Sequence, residues 1–183
     1  MTKPRIEVEL RSFLTEEQFK RLQVRFREEG EYLGKDEQET HYLDAPGDVR
    51  IQRGTQSAKI WMKSGKLHDT AREEHEIPVA REDFDKLVGL FCALKIETKV
   101  KWFRTRHTFD WQGMRVMLDS TRGYGYIIEL EKMVEEHEHE QEAALEELRD
   151  KLESLGIPLT TRKEFDRKYA EYCVDWKRNV GAE

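Results

Sequence analysis

Charged and aliphatic residues alternate along the first part of the chain. In "RIEVELR", residues 5–11, the charged side chains of Glu7, Glu9 and Arg11 are separated by single aliphatic residues. Because successive residues of a β-strand point to opposite sides, this spacing puts the three charges on one side and the aliphatic residues on the other. A solvated sheet edge would explain one such strand, so the interpretation depends on whether other strands repeat the pattern.

Hydrophobic spacing and turn residues predict further helices and strands along the whole chain. The first helix is predicted after the N-cap Thr15 and before Gly30. The other helices are predicted over residues 81–96, 135–156 and 162–176. The eight strands are predicted over residues 5–11, 39–43, 48–53, 58–63, 71–79, 98–109, 114–119 and 126–133. Equal strand numbers in the two halves favour a closed, pseudo-symmetric sheet, although the short sequence echo between the halves could arise by chance.

Charged residues recur with the same alternation on nearly every predicted strand. The residues that share the side of Glu7, Glu9 and Arg11, called the charged side below, are Arg50, Gln52, Lys59, Lys63, Arg72, Glu74, Glu76, Lys99, Lys101, Arg115, Asp119, Glu129 and Glu131. The opposite, apolar side carries Val49, Ile51, Ile60, Met62, Val100, Trp102, Val116, Leu118, Ile128 and Leu130. Amphipathic helices would cover this apolar side. The sequence therefore predicts an α+β fold: an eight-stranded antiparallel β-barrel with a charged lumen, flanked by amphipathic helices.

The charges limit what such a lumen can hold. Burying this many ions in a dry interior would be prohibitive, so the lumen must hold water, metal and a charged ligand. A barrel of this size has room for about one small ligand. The basic residues exceed what the acids can neutralise once several carboxylates bind cations. The ligand expected from the charges is therefore a metal-bound polyanion.

Composition narrows the class of protein further. A chain of 183 residues without an obvious linker predicts a single domain over residues 1–183. Although 38% of the residues are charged, the net charge is only −6, so a nucleic-acid duplex is not an expected partner. No apolar segment approaches a membrane span or a signal peptide, and a cytoplasmic location without membrane contact is expected. The oligomeric state stays open between monomer and homodimer.

Seven short motifs follow one another along about residues 5–133. They are "EVELR", "VRIQR", "KIWMK", "REEHE", "KVKWFR", "VMLD" and "GYGYIIELE". In order and approximate spacing they resemble the CYTH superfamily of triphosphate tunnel metalloenzymes, whose hallmark is E-x-E-x-K near the N-terminus. The resemblance implies a tunnel that binds a triphosphate through Lys and Arg and one or two divalent cations through Glu and Asp. Members include thiamine, inorganic and RNA triphosphatases and class IV adenylyl cyclases.

The resemblance implies chemical roles for the charged side. Hard cations such as Mg²⁺ or Mn²⁺ prefer oxygen ligands, and the expected metal ligands are Glu7, Glu9, Asp119, Glu129 and Glu131. The expected phosphate-binding residues are Arg11, Arg50, Lys59, Lys63, Lys99, Lys101 and Arg115, which Arg53 or Arg104 could join through a local twist. The candidate catalytic residues are Arg11, Glu74 and Glu76. The two glutamates could bind a second metal, orient a hydrolytic water or balance Arg72.

Two positions depart from the family pattern. Arg11 stands where the family has Lys, and Gln52 stands where the second Arg of an R-x-R pair is usual. Because arginine does not readily donate a proton, any acid role of that Lys is lost, whereas phosphate binding is kept. Trp61, also on the charged side, could stack on a base or thiamine ring, or plug one end of the barrel.

The expected function is metal-dependent hydrolysis of the terminal phosphoanhydride of inorganic triphosphate or an organic triphosphate, with water as the nucleophile. The substrate would be a triphosphate-containing small molecule, and the cofactor Mg²⁺ or Mn²⁺. Two alternatives stay open. One is class IV adenylyl cyclisation on the same fold, and the other is a non-catalytic polyphosphate-binding module.

Overall fold

The structure, a computed structural model, describes residues 5–63, 74–135 and 137–181. The strands are β1 (Arg5–Leu14), β2 (Glu31–Leu43), β3 (Asp48–Arg53), β4 (Ala58–Lys63), β5 (Glu74–Val79), β6 (Thr98–Trp111), β7 (Met114–Thr121) and β8 (Gly125–Glu135). The helices are α1 (Glu16–Glu29), α2 (Phe84–Ala93), α3 (Glu138–Ser154) and α4 (Arg162–Val180). A short 3-10 helix, Arg81–Asp83, precedes α2.

Within these described ranges the strands form an eight-stranded sheet in the order β1-β8-β7-β6-β2-β3-β4-β5. The pairings β1–β8, β2–β3, β3–β4 and β4–β5 are antiparallel. The predicted α+β class with eight antiparallel strands is therefore confirmed. Among the described residues, no hydrogen-bonded pairing joins the outer strands β1 and β5.

The chain divides into two compact units. The first consists of Met1–Lys35, Arg106–Ser120 and Gly125–Asp166, and the second of Asp36–Thr105, Thr121–Tyr124 and Arg167–Glu183. Strands β2 and β6 and helix α4 contribute residues to both units. The single domain expected over residues 1–183 stays a prediction.

Helices α1 and α3 cover the apolar side of the strands in the first unit. Helix α1 begins as the sequence predicts, because the Thr15 side chain accepts a hydrogen bond from the backbone N–H of Gln18 and the Gln18 side chain accepts one from the Thr15 N–H. The core of this unit is built mainly from Val8, Leu10, Leu22, Phe26, Phe109, Val116, Leu118, Ile128, Leu130, Leu148 and Leu152. These side chains occupy one side of each strand and leave the other side to charged residues.

Helix α2 covers the apolar side of the strands in the second unit. Ile51 of β3 is paired with Ile60 of β4, and Ile60 with Ile77 of β5. Ile51 and Phe84 are buried in one cluster, and Ile60 packs against it. By strand alternation, the neighbours of Ile51 and Ile60 in sequence point to the charged side.

Strand β2 is longer than its sequence predicts. It begins at Glu31, whereas the predicted strand begins at residue 39. The added segment has few apolar residues and therefore lacks the alternation that marks a strand. Tyr32 supplies an anchor that the pattern does not show, because its ring lies 5.2 Å from the ring of Phe109 and its hydroxyl lies 3.1 Å from Nδ1 of His107. Tyr32 thus packs against β6 within the segment that the pattern does not predict.

Candidate active site

In the first unit, β1 and β8 bring acidic residues into register on the charged side. Glu9 is paired with Glu131, and Arg11 is paired with Glu129. The Arg11 guanidinium also contacts its own strand, since Nη2 lies 3.2 Å from Oε1 of Glu9. Glu7 shares this side by alternation and is exposed. The structure thus places Glu9, Glu129 and Glu131 beside Arg11 on paired strands, with Glu7 further along the same side.

Arg106 of β6 connects the fifth expected ligand to this acidic group. Its Nε and Nη2 atoms donate to the two carboxylate oxygens of Asp119 at 2.8 and 2.7 Å. A third, longer bond of 3.3 Å runs from Nη2 to Glu129. Burial opposes the charge of Arg106, but Asp119 and Glu129 outweigh it and raise the pKa of Arg106 above its ordinary value. A two-pronged contact of this kind fixes the orientation of all three groups.

Glu131 is affected both by burial and by neighbouring charges of both signs. Burial raises the pKa of Glu131 above its ordinary value, and the charge of Glu129 adds to this effect. Arg115 and Arg106 act in the opposite direction without cancelling it. A divalent cation beside Glu131 would relieve the repulsion, because an opposite charge favours the ionised carboxylate.

All five expected metal ligands are carboxylates, the type of oxygen ligand that a hard divalent cation prefers. No three His, Cys, Asp or Glu side chains in the described parts of the chain are grouped so as to hold a metal ion. Two of the expected ligands are engaged by arginine, because carboxylate oxygens of Asp119 and Glu129 accept hydrogen bonds from Arg106. A cation bound to these two carboxylates would replace arginine contacts.

In the second unit, Arg50 lies between two aromatic rings on the charged side. Its Cζ atom is 4.4 Å from the ring centroid of Tyr42 and 5.8 Å from that of Trp61. Its Nε and Nη2 atoms donate to both carboxylate oxygens of Asp48 at 2.7 and 2.6 Å. Burial opposes the charge of Arg50, but Tyr42 and Asp48 raise its pKa above the ordinary value. Arg50 is therefore a permanently charged, oriented cation.

Lys59 lies next to Trp61 on the same side of β4. Its Nζ atom is 4.7 Å from the Trp61 ring centroid and donates to Oε2 of Glu76 at 2.5 Å. The Lys59 and Glu76 side chains are 32% and 42% exposed. Since both are accessible, an incoming anion could replace Glu76 as the partner of Lys59.

A chain of amide hydrogen bonds joins Arg104 to Gln52. Arg104 Nε donates to Oε1 of Gln38 at 2.8 Å, and the Gln52 amide donates to Thr40 Oγ1 at 2.7 Å and more weakly to Gln38 Oε1 at 3.4 Å. Gln52 is thus a buried, hydrogen-bonded amide at the position where the family usually has a cation. A cavity of about 260 Å³ opens beside it, lined by Asp36, Gln38, Gln52, Gly54, Ser57, Ala58, Lys59 and Glu76.

Arg53 lies on the apolar side of β3, close to α2. Its Nη2 atom is 2.7 Å from Oε2 of Glu39, and its Cζ atom is 4.7 Å from the ring centroid of Phe84. The hydrogen bond with His41, together with Arg53, lowers the pKa of Glu39 to about 2 against the effect of burial. The structure therefore does not bring Arg53 together with Arg50 and Lys59.

This low pKa makes the stability of the fold sensitive to acid. Because the pKa of Glu39 is about 2 in the folded chain and 4.5 ordinarily, its contribution is fully present above about pH 4.5 and is lost as the pH falls towards 2. We expect Glu39→Gln to flatten the decline in unfolding free energy between pH 4.5 and 2, measured by urea denaturation. Glu31→Gln, an exposed position on the same strand, is the control, and equal slopes in both variants would contradict the assignment.

Lys101 lies on the other side of β6 from Arg104, which is contrary to the side that the sequence predicts. Trp102 marks the charged side, because its ring is 6.2 Å from that of Tyr42, the strand partner of Arg50. Lys101 alternates with Trp102 and so points away from it. The start of β6 does not continue this alternation, because Thr98 Oγ1 lies 3.3 Å from Nδ1 of His41, the strand partner of Ile51 on the apolar side. The structure therefore separates Lys101 from the other expected phosphate-binding residues, and the side of Lys99 stays a prediction.

Packing against an aromatic residue of α4 explains why Trp102 lies on the charged side and not on the predicted apolar side. Trp102 packs against Tyr172 of α4 at a ring distance of 4.8 Å and against Tyr124 at 4.5 Å. The Tyr172 hydroxyl also donates to the backbone carbonyl of Lys101 at 2.7 Å. Trp102 is therefore buried on the charged side under α4, whereas the sequence predicts it on the apolar side.

The remaining expected residues have simpler positions. Arg115 is exposed on β7 and shares the side of Asp119 by alternation. Lys63 and Glu74 are paired across β4 and β5, but their side chains lie outside the described part of the structure. Arg72 lies outside the described residues altogether.

Arg106, Asp48 and Gln38 are candidate functional residues that the sequence analysis missed. A signal for Arg106 was present at the far end of β6, where Phe109 and Trp111 are buried in the apolar core of the first unit. Counting back from them in steps of two gives odd positions on the apolar side, which assigns even positions, including 104 and 106, to the charged side. The sequence contains no similar signal for Asp48 and Gln38, which look like ordinary turn and strand-edge residues.

Eight antiparallel strands with paired acids and bases on the side opposite a helix-covered core are characteristic of one known family. The CYTH domain model matches residues 5–164, and the chain belongs to this family. The predicted resemblance is thereby confirmed. A search of curated protein sequences finds no relative.

Solved structures show the same fold. The PH1819 protein of Pyrococcus horikoshii is 27% identical, with a TM-score of 0.72 over 90% of this chain and 98% of that chain. A conserved hypothetical protein of Pyrococcus furiosus is 22% identical, with a TM-score of 0.66 over 83% and 91%. The Hippeastrum protein HpAC1, a candidate adenylyl cyclase described as having a dominant triphosphatase activity, is 19% identical, with a TM-score of 0.65 over 92% and 96%. In the described ranges, none of the helices has the length and apolar character needed to span a membrane.

Proposed function

We propose that the chain is a divalent-metal-dependent triphosphatase that hydrolyses the terminal phosphoanhydride bond of inorganic triphosphate or an organic triphosphate. The observation that carries the proposal is the set of buried ion pairs on the charged side of a CYTH domain. Arg106 with Asp119 and Arg50 with Asp48 are both largely withdrawn from water. Because apolar residues of similar volume would stabilise a fold at least as well, such pairs favour a role in binding a charged ligand.

Binding and orienting the substrate would be the main work of the basic residues. Phosphoryl transfer depends more on positioning and charge neutralisation than on covalent chemistry of the protein. We assign the phosphate oxygens to Arg11, Arg50, Lys59, Lys63, Arg104 and Arg106. Paired carboxylates and amides hold Arg50, Arg104 and Arg106 in place before the substrate arrives, so little reorganisation of these three is needed on binding.

The acidic residues would hold the cation and the attacking water. We assign Glu7, Glu9, Glu129 and Glu131 to a divalent cation, which supplies charge neutralisation of the phosphate oxygens when bound. Asp119 orients Arg106 and joins the cation only if that contact is given up. Glu76, released from Lys59 by the substrate, could accept a hydrogen bond from the attacking water. Because an arginine side chain does not readily donate a proton, the proton for the departing phosphate would come from solvent.

Adenylyl cyclisation is the second candidate function. It is supported by the similarity to HpAC1, which is described as a candidate adenylyl cyclase with a dominant triphosphatase activity. Hydrolysis needs only water as the attacker, whereas cyclisation needs a bound ribose with its 3′-hydroxyl held against the α-phosphate. The polar cavity beside Gln52 has room for part of an organic group, but it presents no aromatic ring for a base among its lining residues.

Product analysis tests the proposal. The purified protein would be incubated with inorganic triphosphate, ATP, GTP and thiamine triphosphate in the presence of Mg²⁺, Mn²⁺ or EDTA. We expect metal-dependent release of inorganic phosphate. Cyclic AMP with pyrophosphate would establish the cyclase instead, and triphosphate binding without any product would establish a binding module.

A matched pair of lysines tests phosphate binding on the charged side. Lys59 binds Glu76 on that side, while Lys132 binds Glu147 of α3 on the apolar side of β8, and the lysine side chains are 32% and 31% exposed. We expect Lys59→Gln to weaken triphosphate binding by about tenfold or more, the loss of one charge-assisted contact. Lys132→Gln should leave affinity unchanged, and both should lower the free energy of unfolding by less than about 1 kcal/mol. Equal affinities in calorimetry would contradict the role of Lys59.

A further inference from the structure

Trp61 presents a buried hydrogen-bond donor on the charged side of β4. The residue is 6% exposed, and its indole Nε1 atom has no hydrogen-bond partner among the described residues. A buried N–H without a partner is costly, and native proteins contain few of them. Its position on the charged side makes it a candidate donor to a ligand.

The surroundings of Trp61 favour an anionic acceptor. Lys59 Nζ lies 4.7 Å from the ring centroid and Arg50 Cζ lies 5.8 Å from it. The two carboxylates closest in strand register, Asp48 and Glu76, already accept hydrogen bonds from Arg50 and Lys59. Two cations therefore lie beside the Trp61 ring, and the N–H of this ring is a donor without a partner among the described residues.

We propose that the Trp61 indole N–H donates a hydrogen bond to a non-bridging phosphate oxygen of the bound triphosphate, between Arg50 and Lys59. Trp61 then recognises the phosphate chain, and it neither stacks on an organic group nor only fills one end of the fold. This inference rests on the proposed function, since it takes the ligand to be a triphosphate. It predicts that the contact is used equally for inorganic and organic triphosphates, because every such ligand presents the same oxygen atoms.

The chain supplies a control in Trp111. Its indole Nε1 is also buried without a partner among the described residues, and the residue is 2% exposed. Trp111, however, belongs to the apolar core of the first unit, where it packs against Phe26 at a ring distance of 5.2 Å. Replacing either tryptophan with phenylalanine removes one orphaned N–H and keeps an aromatic ring. Only the change at Trp61 removes a donor from the ring that Arg50 and Lys59 contact on the charged side.

Calorimetry on Trp61→Phe and Trp111→Phe, with inorganic triphosphate and Mg²⁺ as the probe, tests the inference. We expect Trp61→Phe to weaken affinity by about tenfold, the loss of a hydrogen bond to a charged acceptor, and Trp111→Phe to leave it unchanged. Neither melting temperature should fall by more than a few degrees, because each ring is retained. If wild-type protein binds and Trp61→Phe binds equally well, the inference is overturned while the proposed function stands. If wild-type protein binds no triphosphate, the proposed function fails first.

An NMR measurement observes the hydrogen bond itself. The chain has four tryptophans, so the indole N–H region of a ¹⁵N-correlated spectrum is simple, and the two variants assign the signals of Trp61 and Trp111 by their disappearance. On addition of inorganic triphosphate, the Trp61 indole proton should move downfield and exchange more slowly with solvent. The Trp111 signal should stay in place. A stationary Trp61 signal at saturating triphosphate would overturn the inference, even if affinity changed through loss of packing.

Discussion

Replacing Glu9 with glutamine is expected to abolish metal-dependent hydrolysis while leaving the protein folded. The amide keeps the shape of the side chain but removes the negative charge that a hard cation requires. Because the cation neutralises charge on the phosphate, we expect activity to fall about a hundredfold or more. Glu9 lies opposite Glu131 and 3.2 Å from Arg11, so its loss also leaves the charged side more positive. Triphosphate binding without metal should therefore be retained or become tighter.

The alternative is that Glu9 only balances the charge of Arg11. In that case Glu9→Gln would lower the melting temperature and leave the Mg²⁺ and Mn²⁺ dependence of activity as in the wild type. Glu39→Gln removes the same charge from the apolar side of β2 and serves as the control for activity. Metal titrations of phosphate release, combined with thermal melts, decide between the two roles. A wild-type metal response in Glu9→Gln would refute the metal assignment.

Replacing Arg106 with methionine is expected to cause the largest loss of stability among single changes on the charged side. Asp119 is 3% exposed as a side chain and Glu129 is 12% exposed, so removal of the arginine leaves buried carboxylates without their main cation. Loss of one partner of a buried pair typically costs about 3 to 5 kcal/mol of unfolding free energy. The double variant Arg106→Met/Asp119→Leu should recover much of this loss, because it removes both charges.

Activity separates a structural role of Arg106 from a functional one. If the Arg106 to Asp119 pair serves only the fold, the stabilised double variant should regain activity along with stability. We expect it to regain stability alone, since the phosphate-binding cation is still missing. Urea denaturation and triphosphate hydrolysis measured on the same preparations test this, and recovery of activity in the double variant would contradict our assignment of Arg106.

Strict alternation made β1 and β8 predictable. In β1 the acidic residues and Arg11 keep one side without interruption, and the partner strand carries Glu129 and Glu131 at the same spacing. Because an error of one residue would move every side chain to the opposite face, a run of this length determines the side of each residue. The positions of Arg50, Lys59 and Glu76 followed from the same rule on shorter strands.

Strand β6 shows where the pattern fails. Both sides of this strand are covered in places, because an aromatic residue of α4 packs on Trp102 while the core of the first unit holds Phe109. Lys101, the neighbour of Trp102, then has the spacing that the sequence pattern assigns to the charged side. Tertiary packing of a distant helix cannot be derived from the local pattern of one strand.

Side-chain hydrogen-bond partners on different strands could not be predicted from residue types. The sequence indicates a missing cation at Gln52, but not that its amide would bond Thr40 and Gln38, nor that Arg104 would reach the same Gln38. These contacts join residues from different strands and depend on register to within one position. The contacts of Arg106 with Asp119 and Glu129 likewise join different strands and could not be predicted. They determine which carboxylates are available to a cation.

A crystal structure with Mn²⁺ and a non-hydrolysable triphosphate analogue, with data collected for the anomalous signal of manganese, tests the central claim most directly. Our proposal predicts an anomalous peak within coordination distance of carboxylate oxygens of Glu9, Glu129 or Glu131, and phosphate oxygens in contact with Lys59 and Arg50. An analogue bound on the apolar side of the strands, or manganese bound away from these carboxylates, would contradict it.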